Sequence, residues 1–178
     1  LEIRRLRKPN LDPLWIKPDP LVPRRLRLEV HERVDGQGGV IEPLGVEGAE
    51  RALDTLVSMG IQALAICLLN SIHNPAHEEQ IADLARRRYP DLWLSVSSEV
   101  AGAIGEYERT STTVLNSYLM PIVSTYVQKM RENLSNVGIN APLLIMESSG
   151  GMVTSTAAAR KPVGGLESGP GAGVLAAS

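Results

Sequence analysis

Apolar positions change their period several times along the chain, and each change predicts an element. Leu26, Leu28 and Val30 alternate with Arg27, Glu29 and His31, the period-2 pattern of a half-buried strand. Asp35-Gly36 and Gly38-Gly39 mark a turn, after which Val40-Ile41 can pair back as a short second strand. Ala49, Ala52, Leu53, Leu56 and Val57 then recur at helical spacing, and Gly60 caps that helix. Ile61 to Leu69 is a nearly unbroken apolar run, the signature of a strand buried on both faces, as in a parallel sheet. Asn74-Pro75 supplies an N-cap and a first-turn proline. The helix it starts runs to about Arg88 with Ile81, Leu84 and Ala85 inward, and Pro90 stops it. Leu92 to Val96 is the next strand. The alternation of strands and helices with short links predicts βαβ units in an α/β layer with right-handed crossovers.

A long helical region follows from about Glu106 to Asn136. Leu115, Tyr118, Leu119, Ile122, Tyr126, Met130 and Leu134 form its apolar stripe, Pro121 is expected to kink or split it, and Gly138 caps it. Leu143 to Met146 reads as a short buried strand running into Gly150-Gly151. The run Ser168 to Gly173 reads as a tight turn, with a helix starting at Val174. Before all of this, residues 1–25 are basic and carry Pro9, Pro13, Pro18, Pro20 and Pro23, which predicts an extended segment lying on a neighbour.

Composition narrows the function classes. Eighteen basic and twenty acidic residues leave a net charge of −2. The first 35 residues hold nine basic and six acidic side chains, a weak patch, so a nucleic-acid binder is not expected. One cysteine, Cys67, excludes an intrachain disulfide framework and points to a reducing, cytoplasmic setting. No apolar run approaches the roughly 20 residues of a membrane span, and no signal peptide opens the chain. Phe is absent.

Candidate chemistry sits in three places. On a helix, Glu106, Arg109, Thr113 and Asn116 share one face. Three poor helix formers, Thr110, Thr112 and Thr113, crowd the same turn and call for hydroxyl partners. That face is either the polar wall of a ligand site or a solvated surface with an Arg–Glu pair. The glycine-rich tail could offer backbone N–H groups to a phosphate, but it matches neither a Walker loop nor GxGxxG. Glu147-Ser148-Ser149-Gly150-Gly151 follows a strand, where α/β sheets bind ligands, or is a turn in which glycine supplies positive φ. His73 and His77 are four apart beside Glu78, yet Pro75 between them sets His73 outside the helix. Capping and loop contacts are therefore expected there ahead of a metal. Cys67, in the buried strand, reads as a core residue.

Five segments together resemble the hydantoinase A/5-oxoprolinase family, which includes N-methylhydantoinase subunits and the related acetone and acetophenone carboxylase subunits. They are PLVPRRLRLEVHERVDGQGGVIEPL, AICLLNSIHNPAHEEQI, SSEV…GEYERTSTTVLNSYLMPI, PLLIMESSGGMVT and LESGPGAGV, in the family's order and over nearly the whole chain. The resemblance implies an α/β fragment of an actin-like (sugar kinase/Hsp70-like) ATPase fold with a mixed sheet. Residues 1–106 would be the later N-terminal region, 107–137 a connecting helical region, and 138–178 the start of the second lobe. It implies an ATP- and Mg2+-dependent hydrolase of hydantoin or 5-oxoproline-like cyclic amides. Alternatives are a ketone carboxylase subunit, or an assembly module contacting a partner subunit. A B-type subunit or a second copy is the implied partner. Glu106, Arg109, Thr113 and Asn116 would face the interlobe cleft and bind substrate. Ser149, Gly150, Gly151, Gly169, Gly171 and Gly173 would lie near nucleotide. The family's two phosphate loops would fall before Leu1 and after Ser178, so the isolated chain is expected to be inactive and to bind no cofactor. The chain departs from the family where Glu147-Ser148-Ser149 replaces Gln-Ser-Asn, where Gly171-Ala172 replaces Ala-Ala, and where Arg4 replaces a glycine.

Overall fold

A computed structural model describes residues 20–102 and 105–177. Most of the proline-rich opening, with Pro9, Pro13 and Pro18, and the Arg4 departure lie outside the described residues. The elements in chain order are β1 (Arg33–Val34), β2 (Val40–Glu42), α1 (Val46–Ser58), β3 (Ala63–Ile66), α2 (Ala76–Arg88), β4 (Trp93–Val96) and α3 (Ser97–Val100). They continue with α4 (Glu106–Asn136), β5 (Leu144–Met146), β6 (Met152–Thr154), α5 (Ser155–Arg160) and α6 (Ser168–Ala177).

Strand β3 pairs in parallel with β4, Ala63 opposite Trp93 through Ile66 opposite Val96. The crossover is α2, so β3–α2–β4 is the βαβ unit that the pattern predicts. The expected single layer does not appear among the described residues. They hold three two-stranded sheets, β1–β2 and β5–β6 being antiparallel hairpins. The alternation at Leu26, Leu28 and Val30 is not a strand either. Residues 24–26 form a short 3-10 turn, and 27–32 run without a strand partner. The period-2 pattern reports sidedness only in part there: Val30 packs on the core and Glu29 is exposed, but Leu28 is exposed and Arg27 half-buried.

The core gathers Leu44, Ala49, Ile66, Ile81, Ala82 and Val96, with Val30, Leu64 and Leu68 packed against it. Alternate residues of the two strands turn the other way, toward α4, which packs along both strands. At the far end of α1, Asp54 receives hydrogen bonds from Arg88 Nη2 at 2.9 Å and from the Tyr89 hydroxyl, tying α1 to the end of α2. The β1–β2 hairpin is docked by side chains rather than by sheet extension. Asn70 Nδ2 donates to Val34 O at 2.8 Å and Asn74 Nδ2 to Gly38 O at 2.9 Å. Gly38 has φ +90°, and a Cβ there would come within 2.9 Å of His73 O, so only glycine lets the hairpin tip approach this loop.

Two expectations about helices change. Helix α4 continues from Glu106 to Asn136 with Pro121 inside it, so the proline does not split it. Its predicted apolar stripe is not its buried stripe. Tyr118, Ile122 and Tyr126 are exposed, whereas Arg109, Thr113, Asn116, Ser117, Met120 and Val127 are buried. Helix α6 starts at Ser168, so the glycine run expected to be a turn is helical. No helix among the described residues is long and apolar enough to cross a membrane.

Candidate functional site

The C-terminal ends of parallel strands are where open α/β folds place ligands, and a polar cluster lies at those ends here. It is built from Glu78 on α2, Leu68 and Ser71 after β3, Ser97 and Ser98 after β4, and Arg109 on α4. Glu78 is fully buried. Its Oε1 accepts from the Leu68 amide at 2.8 Å and from Ser97 Oγ at 2.6 Å, and its Oε2 accepts from the Ser98 amide at 2.9 Å. The Ser97 hydroxyl also receives Arg109 Nε at 3.1 Å and lies 3.2 Å from Ser71 Oγ. Arg109 is 1% exposed, and its Nη2 donates to Leu68 O at 2.8 Å. A carboxylate and a guanidinium are thus kept inside by sharing one serine and by capping the backbone around it. That satisfaction is what allows two charges in an interior.

The four helix residues expected to form a ligand wall are separated by this packing. Glu106 is exposed at the N-terminus of α4. Thr113 is fully buried, and its hydroxyl donates to the Arg109 carbonyl at 2.7 Å, within its own helix. Asn116, also fully buried, bridges to other elements. Its Nδ2 donates to Ser95 Oγ at 2.9 Å and to Arg160 O at 3.2 Å, and its Oδ1 accepts from the Val163 amide at 3.2 Å. Arg109, Thr113 and Asn116 share a face, as their spacing requires, but among the described residues that face meets protein rather than an open cleft.

Cys67 lies beside this cluster. Burial pushes its thiol up to about 12, and the nearby Glu78 carboxylate adds to the rise, while Thr110, Thr113 and Arg109 oppose it. A thiol so raised is not a nucleophile at neutral pH. His77 Nδ1 pairs with Glu32 at 2.8 Å, both side chains being 6% exposed, which fixes α2 to the segment before β1.

The two glycine-rich segments come together. Ser148 and Gly150 sit in the β5–β6 hairpin turn, where Gly150 has φ +86°, so Ser149–Gly151 is a turn rather than a strand end opening on a cleft. The Ser148 amide and hydroxyl both donate to Gly164 O, at 2.8 and 2.9 Å, and Ser148 Oγ accepts from the Glu167 amide at 3.1 Å. A Cβ on Gly171 would lie 3.0 Å from Ser148 O, so the absence of a side chain lets α6 rest on the turn. Gly169 and Gly173 have nothing within 4 Å of such an atom. Glu147 Oε1 would be 2.7 Å from a Cβ on Gly164, which puts its carboxylate against the 3-10 turn Pro162–Gly165.

Ser95 and Ser97 are not among the residues that motif reading singles out, and Glu78 enters it only beside the His73–His77 pair, not as the partner of Arg109. Glu78 had a signal. It stands at i with Ile81, Ala82 and Ala85 at i+3, i+4 and i+7, so it shares the buried face of α2. The serines carry no comparable pattern.

The hydantoinase/oxoprolinase family profile matches residues 109–178, and the profile of the hydantoinase/oxoprolinase N-terminal region matches residues 1–89. An uncharacterised protein of Methanocaldococcus jannaschii is 38% identical over 99% of this chain and 26% of its own length. The acetophenone carboxylase gamma subunit of Aromatoleum aromaticum is 35% identical over 84% of this chain and 22% of its own. The crystal structure of ATP-dependent caprolactamase from Pseudomonas jessenii superposes with a TM-score of 0.82 at 29% identity, over 97% of this chain and 26% of that one. The chain therefore spans about a quarter of the length of these three proteins. The fold expected from the resemblance, an α/β piece of the actin-like ATPase type, agrees with that superposition.

Proposed function

The chain belongs to the hydantoinase/oxoprolinase family, and we propose that it is part of an ATP-dependent hydrolase that opens cyclic amides of the hydantoin, 5-oxoproline or lactam type. The observation that supports this most is the superposition of nearly the entire chain on an ATP-dependent caprolactamase. An amide carbonyl is a poor electrophile. ATP, with Mg2+, would supply activation by phosphoryl transfer to the amide, and the protein's task in such chemistry is positioning and charge stabilisation.

This chain contributes that positioning in two ways. The Glu78–Ser97–Arg109 cluster holds the strand ends and the start of α4 as one rigid unit. The turn at Ser149, Gly150 and Gly151, with Gly169, Gly171 and Gly173 of α6, offers a side-chain-poor backbone surface that suits the neighbourhood of a nucleotide. Glu147 is not assigned a phosphate contact, since a carboxylate there would be repelled. Of the four residues expected to bind substrate, Glu106 keeps an exposed side chain, and Arg109, Thr113 and Asn116 act from behind the surface. The setting is cytoplasmic, and the partner is a B-type subunit or a second copy.

A ketone carboxylase is the second reading, favoured by the 35% identity to the acetophenone carboxylase subunit. The two readings part on substrate dependence. ADP release by the full-length protein is expected to rise with caprolactam, hydantoin or 5-oxoproline. Stimulation by a ketone with bicarbonate, and by none of the cyclic amides, would select the carboxylase instead.

A further inference from the structure

Asn116, on the α4 polar face, has hydrogen bonds that reach both β4 and the segment around the end of α5. On one side is β4. There Asn116 Nδ2 donates to Ser95 Oγ, which in turn donates to Met120 Sδ at 3.1 Å. On the other side is the segment after α5. There the same Nδ2 donates to Arg160 O, the last carbonyl of α5, and Oδ1 accepts from Val163 N in the 3-10 turn Pro162–Gly165. This turn carries the rest of the glycine-rich assembly. Gly164 O receives both Ser148 donors, Ser148 Oγ receives the Glu167 amide, and Gly171 lies against Ser148 O. Hydrogen bonds, joined through the covalent Val163–Gly164 step of the 3-10 turn, therefore link β4 through Asn116 to Ser148 and to Glu167 just before α6.

We propose that Asn116 is a positioning residue that sets the glycine-rich assembly, residues 147–171, in register with the β3–α2–β4 unit. The side-chain type follows from the geometry. The site needs two donors, for Ser95 and Arg160, and one acceptor, for Val163, on one short planar group. Only a carboxamide supplies both, and asparagine has the shorter reach. Burial makes the arrangement consequential on the Asn116 side: its carboxamide is fully buried, so a changed group there meets Ser95, Arg160 O and Val163 N rather than bulk water, although Arg160 is exposed and Val163 half-buried. The consequence for activity rests on the proposed function, in which this assembly lies near the nucleotide; the positioning itself does not.

The test uses the full-length protein with Asn116→Asp. An aspartate keeps the shape and the acceptor for Val163 but sets an oxygen against Arg160 O. Ser95→Ala is the companion, removing the β4 partner while leaving both contacts to the segment after α5. Backbone hydrogen exchange is read by mass spectrometry on peptides covering 147–167 and 61–69. With Asn116→Asp, exchange in 147–167 should accelerate by about tenfold while 61–69 stays as in the wild type, and Ser95→Ala should accelerate 147–167 less. Unchanged exchange in 147–167, or an equal rise in both regions, overturns the proposal. If Asn116→Asp does not fold, Asn116→Ser takes its place and is read in the same way. A kinetic readout separates the two layers. The KM for ATP should rise several-fold with a smaller change in kcat. Local loosening of 147–167 with no change in the KM for ATP would uphold the positioning role and contradict the placement of this assembly near the nucleotide.

Discussion

Glu78 is buried with three donors converging on its carboxylate, and that arrangement sets the cost of touching it. Glu78→Gln keeps the shape but turns an amide donor toward backbone N–H groups. It is expected to lower unfolding stability by about 2–4 kcal/mol in urea titrations, and a loss under about 0.5 kcal/mol would contradict the network. Cys67 makes a second prediction at this scale. With the folded thiol raised to about 12 from 9.0, the native protein should not react with a disulfide reagent at pH 8, and urea should release the reactivity. The sign for stability follows. The contribution of the protonated thiol is intact below about pH 9. It is lost as pH rises toward 12, because the unfolded chain ionises first. Rapid labelling of the native thiol at pH 8 would contradict that upward shift. Residue roles were the least legible part of the sequence. Spacing tells that Arg109, Thr113 and Asn116 share a face, but not whether that face meets solvent, ligand or protein. The carboxylate that partners the cluster comes from α2, about thirty residues earlier in the chain, where the helix period puts it on the buried face but nothing local ties it to Arg109.

At the scale of elements, α1, α2, β3, β4 and α4 were readable because their periodicity, caps and prolines agree. The misreadings have physical reasons. Tyr118, Ile122 and Tyr126 look like a core stripe by hydropathy, yet the side of α4 that packs on β4 is the one whose polar groups find partners. The glycine run Ser168–Gly173 looks like a turn by propensity, since each glycine costs a helix about 1 kcal/mol relative to alanine. It is helical because Gly171 gives α6 a close seat on Ser148, a tertiary contact that propensity does not include. A substitution series separates the two effects. Gly169→Ala and Gly173→Ala should each stabilise by about 0.5–1 kcal/mol, as the added methyl meets nothing. Gly171→Ala should show no gain or a net loss, since its methyl would press on Ser148 O. Thermal unfolding reads the series, and an equal gain at all three positions would contradict the seating of α6.

At the scale of the molecule, the strand that reads as buried on both faces is only partly so. Ala63, Leu64 and Ala65 of β3 are half-buried, and an apolar groove of about 650 Å3 runs beside them, lined also by Leu26, Leu28, Val114 and Tyr118. The pattern IQALAICLL is thus more apolar than the described surroundings require. That excess matches a chain spanning about a quarter of its relatives' length. The βαβ unit was legible, and so was the family, because five segments in fixed order carry it. The arrangement of the glycine-rich assembly was not, since it depends on Asn116 reaching across 44 residues of sequence to Arg160. The proposed activity is ATP-driven opening of a cyclic amide by the full-length protein. The most direct measurement quantifies ring-opened product against ADP when the full-length protein turns over caprolactam, hydantoin or 5-oxoproline. Open-chain product should form in step with ADP, and none should form without ATP. Ring opening that proceeds without ATP, or ADP formed only alongside a carboxylated ketone, would contradict it.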